Sequence, residues 1–140
     1  ARCAPDMQSY EFLPRKGSGR WAAVWAGANC HDVRRWVRDG LLKPTILFNS
    51  KRDTWLFDFQ ALVELMALAS LLKSGLSEAE AVPVIQLIHS EWERIVRAVR
   101  SSSRYLMLGP NKILSRTRPP DKSLLDIGSC FHMARTAWRR

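Results

Sequence analysis

The side chains best equipped for chemistry in this sequence are cations set at helical spacing. In CHDVRRWVR, residues 30–38, Val33, Trp36 and Val37 fall on one side of a helix, while His31, Arg34, Arg35 and Arg38 fall on the other. A guanidinium can span the two acceptors on a guanine edge or hold a phosphate oxygen, so an outward arginine stripe on a short helix suits a nucleic-acid groove. Arg34 and Arg35 are the expected main contacts, with Asn29 and His31 near the helix start and Arg38 at its end. Asp32 has two readings. It can accept from a cytosine amino group, or, as favoured here, stabilise the helix start or pair with Arg35. Lys43, Lys51 and Arg52 suit phosphate contacts, which add salt-dependent affinity without sequence choice.

Other chemistry finds little purchase. The sequence has no nucleophile elbow, P-loop, dinucleotide fingerprint or HExxH pattern, and its acidic residues are few and scattered. The expectation is a non-enzyme without cofactor. Cys30-His31 and Cys130-Phe131-His132 lack zinc-site spacing, so no metal is expected. Three cysteines, Cys3, Cys30 and Cys130, show no CxxC pair. This argues against a disulfide framework and fits a reducing cytoplasm, with Cys30 a small buried apolar residue. No run approaches the roughly 18 apolar residues of a membrane span, and the start lacks the apolar core of a signal peptide. A cytoplasmic, nucleoid-associated protein with no membrane partner is expected.

Charge points the same way. The net charge is +9 over 140 residues, and it is uneven. Residues 89–140 hold 11 Lys+Arg against 4 Asp+Glu, a net of +7, and residues 1–88 hold 11 against 9. A basic protein of this kind suits a polyanion.

The elements that must position the stripe can be read from caps and periodicity. Residues 1–19 form an irregular arm. Residues 20–27 place Trp21, Val24 and Trp25 on one helical face and stop at Gly27. Asn29 caps the second helix and Gly40 ends it, giving a helix-turn-helix. Residues 45–48 and 54–57 are β-prone and flank a polar, cationic turn, which reads as a hairpin wing. Asp58 caps a helix to about Lys73 that is apolar around most of its circumference, so burial on several sides is expected. Ser77 and Glu80 fit a capping box, and Pro83 interrupts the pattern. From there Ile85, Ile88, Trp92, Ile95 and Val99 recur at steps of three and four, a heptad-like seam on a helix over 84–101, about 27 Å long. Glu93 and Arg97 stand four apart in the favourable order for a helical pair. RYLML and KILSR suggest a second hairpin. Leu124, Ile127, Phe131, Ala134 and Trp138 suggest a last helix, against which Gly128 argues. Arg116-Thr117-Arg118 reads as a basic linker.

AGANCHDVRRWVRDGLLKP, residues 26–44, and WLFDFQALVELMALASLLKSGLSEAEA, residues 55–81, together resemble the MerR (mercuric-resistance regulator) family over about residues 20–90. The resemblance lies in the alanine-glycine turn, the basic-aromatic helix, the glycine-leucine-leucine-lysine-proline stretch, Phe57-Asp58 after the wing, and the Gly75-Leu76-Ser77 turn. It implies a winged helix-turn-helix binding DNA as a dimer, with the second helix in the major groove and the wing on phosphates. Trp55 departs from the family's wing arginine, and Lys51 and Arg52 would supply that charge from the tip.

The fold expected is therefore mainly α with a small β wing. It comprises an arm (1–19), a winged helix-turn-helix with a further helix (20–101), and a short mixed basic C-terminal element (102–140) that regulates, dimerises or docks a protein partner. The function expected is a sequence-specific DNA-binding transcriptional regulator on double-stranded DNA. Its recognition helix is about 30–39 and its wing 45–57, and it forms a homodimer through Ile88, Trp92, Ile95 and Val99. The alternatives are an architectural, excisionase-like DNA-binding protein, or a protein-interaction module such as an antitoxin or adaptor.

Overall fold

A computed structural model describes residues 16–47, 54–107, 114–115 and 124–140. Among these the protein is mainly helical, with α1 (Gly19–Ala26), α2 (Cys30–Arg38), β1 (Thr45–Leu47), β2 (Thr54–Leu56), α3 (Phe59–Lys73), α4 (Glu78–Ser90), α5 (Trp92–Arg100), β3 (Tyr105–Met107), β4 (Leu114–Ser115), β5 (Leu124–Asp126) and α6 (Ile127–Arg139). β1 and β2 are antiparallel, with Ile46 opposite Trp55. The second sheet has the order β4-β3-β5, also antiparallel.

Each early helix begins where a side chain satisfies an otherwise free N–H. Ser18 accepts from the Trp21 N–H at 3.2 Å, Asn29 from His31 at 2.8 Å, and Asp58 from Ala61 at 2.8 Å. Ser77 and Glu80 form the full capping box of α4. Gly27 closes α1 at φ 69°, and a Cβ there would lie 2.7 Å from Lys73 Nζ. On α1 the packed surface is Trp21, Ala22, Ala23 and Ala26, with Val24 and Trp25 only half-buried.

α3 is the hub. Residues 61–69 are buried without interruption, because α1, α4 and α6 each pack against a different side of it. That is what an apolar circumference requires. A fully buried leucine contributes about 1.5–3 kcal/mol, so this helix carries much of the core.

Pro83 lies inside α4 and does not end it. It is exposed, and so is Ala79, whose carbonyl loses its usual helical donor because proline has no N–H. The helix expected over 84–101 is instead two. Glu91, at φ −105° and ψ 24°, separates α4 from α5. The break accompanies tertiary packing of α5's first residue, since Trp92 stacks on Phe131 at 5.2 Å and meets Phe59 at 6.3 Å. Part of the heptad-like seam packs into the chain's own core. Ile88 is 0% and Ile95 2% exposed, while Trp92 and Val99 are half-buried against the same core. Ile88 and Ile95 therefore have no surface left to offer a second copy.

The C-terminal hairpin forms as β3–β4, but its partner β5 replaces the expected start of the last helix. α6 begins at Ile127, with Asp126 accepting the Ser129 N–H at 3.0 Å. Gly128 belongs there for a packing reason. Its N–H donates to the Arg104 carbonyl at 3.0 Å, and a Cβ would lie 2.7 Å from Arg104 Cγ. Phe131, Ala134 and Ala137 are buried, and Trp138 meets Trp21 at 4.9 Å. A single buried cluster thus runs from α1 to α6. Among the described residues, no helix is long and apolar enough to cross a membrane.

Candidate nucleic-acid interface

α2 is held by few but large contacts. Val33 and Trp36 are 1% and 3% exposed, and Leu42, just after the helix, is 1% exposed. The chain turns back at Gly40, φ 80°, where the Leu41 N–H donates to the Trp36 carbonyl at 2.9 Å. This anchoring turns His31, Arg34 and Arg38 to solvent along one stripe, with Lys43 exposed beyond it. Among the described residues, Arg34, Arg38 and Lys43 make no ion pair. Asn29 stands at the head of the stripe, its side-chain oxygen used as the cap. Lys51 and Arg52 lie outside the described residues.

Arg35 is placed differently. Its Nη1 donates to Glu78 Oε1 at 2.7 Å and its Nη2 to Glu78 Oε2 at 2.6 Å, a two-pronged bond from α2 to the first turn of α4. Nη2 also reaches Asp32 Oδ1 at 3.3 Å, in line with the structural reading of that aspartate. The guanidinium lies 5.9 Å from the centre of the Trp36 ring. Arg35 holds the Glu78 carboxyl below the usual carboxylate range, and Glu78 and then Asp32 push Arg35 further above its own. Only three of the four stripe residues are therefore presented freely. Nothing near residue 35 signals a partner 43 positions away.

A second cluster escaped the sequence reading. Glu64 is the one buried charged residue among the described residues, bonded to Gln60 and beside His89. Its signal was visible, as a lone carboxylate in an otherwise apolar run.

Cys30 is not the apolar filler expected. It is half-buried and disulfide-bonded. Cys130 is a free, buried thiol whose pKa is pushed up to about 12 by burial, which makes it a poor nucleophile. Among the described residues no three His, Cys, Asp or Glu side chains gather as metal ligands.

No known family model matches the chain, and no curated protein matches it.

Proposed function

We propose that this protein is a sequence-specific DNA-binding regulator of the winged helix-turn-helix type. α2 enters the major groove and the β1–β2 pair serves as the wing. The observation that carries this reading is the solvent-facing stripe His31, Arg34 and Arg38, without an ion pair among the described residues, on a helix locked from behind by Val33 and Trp36. A rigid short helix with guanidinium groups on its outer face is the form that direct readout needs. The order of elements supports it as well. Two short helices joined by a three-residue turn, then an antiparallel strand pair, then a buried helix are the parts of such a domain in sequence. Arg35 serves as the strap that fixes α2 on α4, and the base contacts fall to Arg34 and Arg38.

The test is selection of bound sequences from random duplex DNA at near-physiological salt, followed by Arg34→Ala with Arg38→Ala. A defined motif is expected. Each lost guanidinium–base contact should cost about 1–3 kcal/mol of discrimination with circular dichroism unchanged. Binding without any motif, abolished by salt and indifferent to both substitutions, would leave only charge-driven affinity and overturn the assignment.

A further inference from the structure

Away from α2, the junction between α4 and α5 carries charge that the fold does not use. Glu64 is 1% exposed on an otherwise apolar stretch of α3. A buried carboxylate is costly unless paired, and an apolar side chain would fill the same place. Gln60 Nε2 donates to its Oε2 at 3.0 Å, and His89 Nδ1 lies 3.0 Å from the same oxygen. Whichever group holds the shared proton, Nδ1 is occupied, the ring orientation is set, and Nε2 is the atom His89 has left to offer. The His89 side chain is 39% exposed and lines an open cavity of about 530 Å³, within the size range of small-molecule sites.

Four further charges line that cavity: Glu91 at the helix break, and Glu93, Arg94 and Arg97 on α5. None of them forms an ion pair among the described residues, although Glu93 and Arg97 stand at the spacing that favours one. A simple anion would meet two carboxylates in this wall, and a simple cation would meet two guanidinium groups. Among the described residues, a metal ion finds no group of three ligands. A molecule bearing both charges meets neither objection.

We propose that the cavity at the α4–α5 junction binds a small zwitterion of the amino-acid class. Arg94 and Arg97 hold its carboxylate, Glu91 and Glu93 hold its ammonium, and His89 supplies a directional hydrogen bond from the cavity lining. A guanidinium pair is well matched to a carboxylate, because charge-assisted bonds are shorter and stronger than neutral ones. The proposal does not depend on whether α2 binds DNA.

The experiment is isothermal titration calorimetry of the full chain with each common free amino acid at millimolar concentration, with acetate and methylamine as single-charge controls. Saturable binding of at least one amino acid is expected, matched by neither control. Arg94→Gln with Arg97→Gln should weaken it about tenfold or more, the scale set by losing one such bond. His89→Ala should weaken it less, and Arg34→Ala should leave it unchanged. Both helix-surface substitutions are exposed, and circular dichroism checks that the variants fold. The proposal is overturned if no amino acid gives saturable heat, if binding survives the double arginine substitution, or if acetate binds as well as the amino acid does.

Discussion

α2 and α5 are near twins in composition. Each is nine residues long, each carries three arginines, and each is strongly two-sided. Their surroundings make them different objects. α2 begins on a side-chain cap from Asn29, and α5 has none at Glu91. α2 spends one arginine, Arg35, on Glu78 and leaves the other two facing open solvent. On α5, Arg94 and Arg97 instead border a cavity beside Glu93. The charge pattern of a short helix says which side is exposed. What that side meets is decided by neighbouring elements, here the first turn of α4 for α2, and Gln60 of α3 with His89 at the end of α4 for α5.

The largest effects should come from the buried sides, where the two helices can be compared directly. Trp36→Ala should cost about 3–5 kcal/mol and Ile95→Ala about 2–5 kcal/mol, read as shifts in the urea midpoint. For Ile95, and likewise for Ile88, the loss should be independent of protein concentration, because both side chains are buried within one chain. A midpoint that rises with concentration in the parent and ceases to do so in Ile95→Ala would show that the seam serves two copies after all.

Next come the outer sides. Arg34→Ala with Arg38→Ala should abolish DNA sequence preference and leave amino-acid binding intact, while Arg94→Gln with Arg97→Gln should do the reverse. If either pair disturbed both activities equally, the two helices would not be functionally separate.

The elements around α2 were largely legible because their signals are local. Asn29, Asp58 and Ser77 mark helix starts through bonds two or three residues away, and Gly27 marks an end through its left-handed backbone. The region from α5 onward was read less well because its determinants are distant. The break at Glu91 accompanies stacking of Trp92 on Phe131, 39 residues later in the numbering. β5 exists because β3 has a second edge to pair. Gly128 argues against a helix locally, yet it is what lets α6 approach Arg104. At the candidate sites, side-chain types and exposed faces were readable, but pairings such as Arg35–Glu78 were not.

A smaller effect, with a definite sign, is expected from Glu64. Burial raises its pKa, and the bonds to His89 and Gln60 only partly offset this. The folded state thus holds the proton more tightly than the unfolded chain. The stability linked to that proton is full below the ordinary glutamate range and is lost as pH rises through the folded pKa. Glu64→Gln keeps the shape and removes the titration, so it should gain stability relative to the parent as pH climbs from acid to neutral. Asp126 works in the opposite sense. Burial pushes its carboxyl up, but Arg104 and the Ser129 N–H outweigh that and hold it low. Its contribution is present above the ordinary aspartate range and fades as pH falls, so Asp126→Asn should narrow the gap to the parent in acid. Thermal melts across this range read both signs. A Glu64→Gln difference that shrank with rising pH would contradict the burial argument.

The smallest effect concerns Arg35, and it sharpens the contrast between the helices most. The strap is half-exposed, and ion pairs of that kind contribute little to stability. Arg35→Ala should therefore change DNA affinity far less than Arg34→Ala, since a guanidinium bonded to both oxygens of Glu78 is not presented to a groove. Glu78→Ala should release it. An additional free cation beside the stripe would join the phosphate contacts, raising affinity severalfold for all sequences alike and steepening the salt dependence by up to about 0.9 in log–log slope. If Arg35→Ala instead weakened binding as much as Arg34→Ala, Arg35 would have to leave Glu78 on binding DNA. The contrast drawn between α2 and α5 would then describe only the free protein.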